Sequence, residues 1–350
     1  MQQDKRIGRK TVRSRNGQAK RNTARYTIDQ AFELFYHAKS GEGLRKRTLV
    51  DYKNHHRYLV SWLTEIHPQV EYIEDVSPQL LREYIYYLSH EKPQYEGHPY
   101  KSDNDKSKLG LSPGCVNVRV TTMKSFFAWL HREAIIPSNP TVNIKKQAVE
   151  EDTIEAFTDD QIELLLQQPN KHTYAGFRDY ILMRLLLESG MRINEVLSLT
   201  TENIDFKTRL ITLSGAQNKN RKVRIIPLSP DMVRLVMDLM AENKTYFPEA
   251  MHLFLANYGE PLSQEGITHR VKQYGREAGI AEHVRCSPHT FRHTFAKSFL
   301  TAGGDIIALQ RILGHSSMDM VRKYVQHTPE DLRNAHDKFT VRLKSSRRLM

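Results

Sequence analysis

The chain has 350 residues, too many for one ordinary domain, and 39% of them are hydrophobic, enough to build real cores. Lys and Arg number 52 against 40 Asp and Glu, a formal net charge of +12 that favours a polyanionic partner. No apolar run can cross a membrane, no secretory signal opens the chain, and only Cys115 and Cys286 occur, which points to a reduced, cytosolic protein without a disulfide.

Positive charge gathers at the start. Residues 1–25 hold nine Lys or Arg against Asp4 alone and show no apolar periodicity, so they read as a disordered basic arm. Such an arm attracts a nucleic-acid backbone; the plain alternative is a solubilising tail. Residues 26–136 read as a small all-helical bundle. Thr27 to Gln30 form a capping box before Ala31, Leu34, Phe35 and Ala38, and a second helix from Thr48 carries Tyr52, His56, Leu59, Leu63 and Ile66. Ser77-Pro78 opens a third helix through Leu81, Ile85 and Leu88. A polar excursion over 93–108 follows, and Ser112-Pro113 opens a fourth helix with Val116, Val120, Met123, Phe127 and Leu130 on one face. His55, His56, Tyr84, Tyr86 and Tyr87 read as core or surface fillers rather than ligands.

Residues 137–156, with Pro137 and Pro140, read as a linker, and the pattern then changes. Phe157 to Asp160 caps a helix carrying Ile162, Leu165 and Leu166, and Tyr180 to Leu187 is an apolar run long enough only for a buried helix, which stops at Gly190. A new helix from Met191 packs Ile193, Val196 and Leu197 inward and leaves Arg192 at the junction, either as the structural partner of Glu195 or as a ligand for an anion. Leu210–Leu213 and Val223–Pro227 read as two short strands around a turn rich in Lys219, Arg221 and Lys222. That basic tip is either solvated decoration or an element that enters a DNA groove.

Pro288 suits a first helical turn with Ser287 as cap, and Phe291, Phe295, Phe299 and Leu300 continue the helix, with His289 and Arg292 three apart on one face. Gly303-Gly304 end it. Asp305 caps the next helix through Ile306, Ile307, Leu309 and Ile312 to a stop at Gly314, so His315 sits at a helix exit. A further helix from Met318 buries Val321 and Val325 and leaves Tyr324 at the edge of its stripe. Each of these residues alone is an ordinary structural group. Jointly, two cations and two histidines ordered around a tyrosine can make an oxyanion site, in which the donors bracket a phosphate while the phenol attacks it.

These boxes resemble the tyrosine recombinases of the phage-integrase and Xer-like family. Gly190-Met-Arg-Ile-Asn-Glu-Val-Leu-Ser-Leu resembles the first arginine box and maps the catalytic arginine onto Arg192. The hairpin Asn218-Lys-Asn-Arg-Lys-Val-Arg-Ile-Ile-Pro-Leu resembles the lysine hairpin and maps its lysine onto Lys219, with Lys222 as the competing assignment, because Asn218-Lys219-Asn220 stands where the family has Gly-Lys-Gly. His289-Thr-Phe-Arg292-His293 matches the His-x-x-Arg box, Leu313-Gly314-His315 the Leu-Gly-His box, and Tyr324 the nucleophile.

The resemblance implies an all-α helical-bundle DNA-binding domain over 26–136 and a mixed α+β, mostly helical catalytic domain over 157–343, gripping double-stranded DNA from opposite sides. It implies site-specific recombination through a 3′-phosphotyrosyl link to Tyr324 that stores the bond energy for rejoining, so neither ATP nor a metal or other cofactor is required. Arg192 and Arg292 would clamp the non-bridging oxygens, Lys219 would protonate the leaving 5′-oxygen, His289 would serve as acid or base, and His315 would donate to the phosphate. It also implies a homo-oligomer, a dimer on each site and a tetramer in the synapse, acting on the bacterial nucleoid. Thr328-Pro329-Glu330-Asp331 is a strong helix start, and Leu332, Ala335, Phe339 and Leu343 make a stripe over about 329–343 before a basic tail at 344–350. In the family such a terminal helix docks into the neighbouring protomer; packing on its own domain is the alternative.

Two rival readings come from other classes, and a third is a nearer relative. Cys286, His289 and His293 have a spacing that can suit a tetrahedral zinc, without a fourth ligand nearby. A non-catalytic helical DNA-binding regulator would explain the arm and leave the cationic and histidine positions without a reason. A topoisomerase that cuts and reseals one strand would use the same chemistry without exchange.

Overall fold

The computed structural model describes residues 25–95, 108–149, 155–215 and 223–314, with Met318, Val321 and Arg333 beyond them. Outside the described residues lie the arm up to residue 24, Lys219 and Lys222, His315, Tyr324, and the expected helix over 329–343 apart from Arg333. The backbone divides between Glu151 and Asp152 into two compact units.

The first unit is helical: α1 (Ile28–Gly41), α2 (Lys46–Ile66), α3 (Pro78–His90) and α4 (Pro113–Arg132). The Thr27 hydroxyl accepts from the Gln30 amide while the Gln30 side chain accepts from the Thr27 amide, closing the capping box. Ser77 and Ser112 cap the two helices that begin with proline. The buried stripes differ from the sequence reading at their edges. Leu34 and Ile66 are 42% and 52% exposed, while Phe32 and Trp62 fill the core, because the turn of 3.6 residues keeps positions 28, 31, 32 and 35 and positions 59, 62 and 63 on the inner faces. His56 is a filler: its ring stacks on Phe32 at 3.8 Å between centroids, and its Nε2 pairs with Asp29 at 2.7 Å. Arg25, placed by the sequence at the end of the arm, is anchored by Asp75 at 2.9 Å and lies over the Tyr72 ring. The first part of the expected linker is also packed. Ile144 is buried, and the Asn117 amide group clasps the Gln147 backbone, donating to its carbonyl and accepting from its N–H.

The second unit surrounds α6 (Tyr174–Ser189), which follows α5 (Asp159–Gln167). α6 starts earlier than its apolar run because the Thr173 hydroxyl accepts from the Gly176 amide and caps it there. It leads into the one-turn α7 (Ile193–Leu197) and a three-stranded antiparallel sheet of β1 (Ile204–Asp205), β2 (Leu210–Leu213) and β3 (Arg224–Pro227). In the sheet Ile211 faces Ile204 on one side and Ile226 on the other. Two helices that the sequence reading left out, α8 (Pro230–Tyr246) and α9 (Gln264–Glu277), are capped by Ser229 and Ser263. α10 (Pro288–Thr301) and α11 (Ile306–Leu313) then follow at the expected places, although the Ser287 hydroxyl pairs with that of Thr290 instead of capping a backbone amide. One apolar core runs from Phe157 through α6 and the sheet to Phe291, and a smaller cluster joins Ala296, Leu309, Leu313 and Val321. No described helix is long and apolar enough to cross a membrane.

Candidate active site

α6 ends at Gly190, in the left-handed region at φ 60°, where a Cβ would lie 2.3 Å from Phe295 Cδ1; glycine meets both constraints. The chain then turns so that Arg192 becomes the N-cap residue of α7. Its amide donates to Glu195 Oε2 at 2.8 Å and its Nη1 to Glu195 Oε1 at 2.9 Å, so the guanidinium is held from its own helix while its side chain stays 23% exposed. Of the two roles open to Arg192 in the sequence, partnership with Glu195 is present, and the partial exposure is compatible with an anion ligand as well.

Glu195 is itself buried, and a second guanidinium reaches it: Arg224 Nη2 donates to Oε2 at 2.6 Å. Burial pushes this carboxyl up, but Arg224 and Arg192 outweigh burial and hold it below its ordinary value. Arg224 points inward because β3 alternates, with Arg224 and Ile226 facing the core and Val223 and Ile225 exposed. Its Nη1 donates to the carbonyl of Leu313 at 2.7 Å.

Leu313 is the last residue of α11, where backbone carbonyls lack partners within the helix and carry the negative end of its dipole. The same carbonyl accepts from Arg292 Nη2 at 2.8 Å, and Arg292 Nη1 donates to the Gly190 carbonyl at 2.6 Å. His289 and Arg292 thus differ in burial although they are three apart: Arg292 is 5% exposed inside the fold, and His289 is exposed in the first turn of α10. A continuous chain of bonds therefore runs from Arg192 through Glu195, Arg224 and the Leu313 carbonyl to Arg292 and Gly190. It joins the first arginine box, the strand after the basic turn, the His-x-x-Arg box and the Leu-Gly pair that precedes His315. Lys219, Lys222, His315 and Tyr324 lie outside the described residues.

The zinc reading fails on geometry. Cys286 is buried, with its Sγ toward the Val284 carbonyl at 3.6 Å, whereas His289 is exposed, and among the described residues no three His, Cys, Asp or Glu gather as a metal site. Sequence reasoning assigned no role to Arg224, although its inward place in an alternating strand is a readable signal. It also missed a second buried network, in which Asp179 accepts from Arg178, Arg270 and Tyr274.

Residues 155–331 match the phage integrase family. Among curated proteins, the chain is 29% identical over 226 residues to Tyrosine recombinase XerC of Chlamydia caviae, which covers 63% of this chain and 69% of that protein. It is 26% identical over 304 residues to Tyrosine recombinase XerD of Staphylococcus aureus, which covers 85% and 94%. Among solved structures, a Tn1549 transposon integrase in complex with a circular intermediate DNA superposes with a TM-score of 0.70 at 21% identity, over 89% of this chain and 99% of that one. A lambda integrase dimer bound to a COC′ core site gives 0.60 at 16% identity, over 84% and 97%. These two likenesses establish the fold.

Proposed function

This chain belongs to the phage integrase family, and from that premise we propose the roles of its residues in cutting and rejoining DNA. The protein is a site-specific tyrosine recombinase. Tyr324 attacks the scissile phosphorus: the O–P bond to tyrosine forms, the P–O5′ bond breaks, and a 3′-phosphotyrosyl link and a free 5′-hydroxyl result. The phenol proton passes to His289, and Lys219 supplies the proton to the leaving 5′-oxygen. A phenol with an ordinary pKa of about 10 is a poor nucleophile at neutral pH, so the cationic surroundings must favour its anion. Arg192 and Arg292 neutralise charge developing on the non-bridging oxygens, and His315 adds a hydrogen bond to the phosphate.

The observation that carries this reading is the bonded chain from Arg192 to Arg292. It holds two guanidiniums, distant in sequence, in one fixed arrangement, which is what preorganised binding of a phosphoryl group needs. Double-stranded DNA is the substrate. The helical unit would bind the core site, a dimer would occupy each site, and a tetramer would form the synapse through the segment over 329–343. The protein would work on the nucleoid. Tyr324→Phe tests the nucleophile, because the ring keeps its packing and loses only the oxygen. The variant should bind DNA and form no covalent adduct with a nicked suicide substrate on a denaturing gel; an undiminished adduct rejects Tyr324.

A further inference from the structure

We infer that Arg224 is a positioning residue of the strand-cleavage reaction, the piece that locks Arg192, the strand leaving the basic turn and the approach to His315 into one arrangement. This rests on the proposed contact of Arg192 with the scissile phosphate. Arg224 is 4% exposed, and its guanidinium donates both to Glu195, at 2.6 Å, and to the Leu313 carbonyl, at 2.7 Å. Glu195 in turn fixes the Arg192 guanidinium at 2.9 Å, so the direction in which Arg192 points depends on a carboxylate that Arg224 holds from the far side. The Leu313 carbonyl is shared with Arg292, which couples the second arginine to the same anchor. The fit at Gly314 is close as well. Gly314 adopts φ 64°, and a Cβ there would come within 2.8 Å of Arg224 Nη1. Arg224 follows Lys219 by five positions in sequence, so the strand it anchors is the one that leaves the lysine turn.

A planar fork can make these two bonds in diverging directions; an ammonium on a flexible stem cannot reproduce them. Arg224→Lys keeps the charge, and Arg224→Gln removes it. With the full-length protein saturating a nicked suicide substrate, both variants should bind DNA as the parent does. Both should cleave it up to about 100-fold more slowly, the cost of misplacing a reacting group by about 1 Å. The discriminating substrate carries a methylphosphonate at the scissile position, which removes the charge that Arg192 is there to neutralise. It should narrow the gap between each Arg224 variant and the parent, as it should for Arg192→Ala. A general defect of packing would leave that gap unchanged. Cleavage by both variants within about threefold of the parent, a deficit that the methylphosphonate does not narrow, or loss of the fold in both by circular dichroism would each overturn the proposal. Arg192→Ala separates the two levels: parental cleavage by that variant overturns the phosphate contact itself, whereas a crippled Arg192→Ala beside normal Arg224 variants overturns only the positioning role.

Discussion

The second unit buries two arginine–carboxylate networks, and they are built to different ends. Around Asp179 the bonding closes on itself. Arg178 donates to Oδ1 from Nε at 2.9 Å and from Nη2 at 2.7 Å, Arg270 and the Tyr274 hydroxyl fill Oδ2, and Arg178 Nη1 ends on the Leu255 carbonyl at 2.6 Å. Around Glu195 the bonding stays open. Arg192, Arg224 and Arg292 are strung along one carboxylate and the carbonyls of Leu313 and Gly190, three guanidiniums to one carboxylate where Asp179 has two. The closed network ties α6 to α9 and fills both oxygens of Asp179, with two guanidiniums on its one carboxylate. The open one holds an excess of positive charge in place, which an arriving anion can share.

Breaking the closed network should give the largest loss of stability. Asp179→Ala leaves Arg178 buried without its counter-charge, which costs about 3–5 kcal/mol. Urea unfolding followed by circular dichroism measures it, and a loss below about 1 kcal/mol would show that Arg178 is not left as an uncompensated buried charge. Protein that remains folded should still cleave DNA, because Asp179 bonds to Arg178, Arg270 and Tyr274, a set apart from the chain that holds Arg192 and Arg292.

Next comes the pH dependence, which has opposite sign in the two networks. Burial and then the Asp179 charge push the Tyr274 phenol from 10 up to about 12. Its folded value is raised, so its contribution is complete below pH 10 and is lost as the pH climbs toward 12. Tyr274→Phe should lower stability by about 1–3 kcal/mol near neutrality, since it takes a hydroxyl from buried partners, and should flatten that alkaline decline. Glu195 is held below its ordinary 4.5, so its contribution is present above 4.5 and is lost as the pH falls through its lower folded value. Glu195→Gln should flatten the acid limb and leave the alkaline one untouched. An unchanged acid limb would mean that the open network does not stabilise the fold through ionisation of Glu195.

A smaller effect separates strain from function. Gly314→Ala and Gly279→Ala both place a Cβ in the left-handed region, at φ 64° and φ 69°, and each should cost about 1–2 kcal/mol. Nothing lies within 4 Å of a Cβ at Gly279, whereas at Gly314 it meets Arg224. Only Gly314→Ala should slow cleavage of a suicide substrate. Equal rates for the two variants would show that the open network tolerates a shifted Arg224.

Why the sequence yielded one network in part and the other not at all is a matter of separation along the chain. Arg192 and Glu195 are three apart in one turn, so their pairing could be read locally, and the helix stops at Gly190 and Gly314 follow from glycine's freedom at positive φ. The Arg270 to Asp179 pairing spans 91 residues and has no local trace. α8 is a different kind of miss: Ser229-Pro230 is the same start signal as Ser77-Pro78 and Ser112-Pro113, which were read as helix openings. β1, two residues long, is too short for an alternating pattern, and it exists because Ile204 pairs with Ile211.

The smallest expected change comes from the first unit and tests whether a buried hydroxyl needs a network at all. Tyr84 is 1% exposed, and its hydroxyl has no hydrogen-bond partner among the described residues, in contrast to Tyr274, whose hydroxyl is bonded to both Asp179 and Arg270. Burial pushes the Tyr84 phenol well up, with Arg119 opposing, so it stays neutral throughout the working range. The ring earns its place by packing, 5.1 Å from Trp62 and 6.5 Å from Tyr87 between centroids, and phenylalanine keeps those contacts. An unpaired buried hydroxyl has already lost its hydration, so its removal should be neutral or should stabilise the protein by up to about 1 kcal/mol. The same Tyr→Phe change is therefore expected to have opposite sign at positions 84 and 274 in parallel urea melts. A loss at Tyr84 as large as that at Tyr274 would show that its hydroxyl is paired in solution and that the first unit also holds a buried polar network.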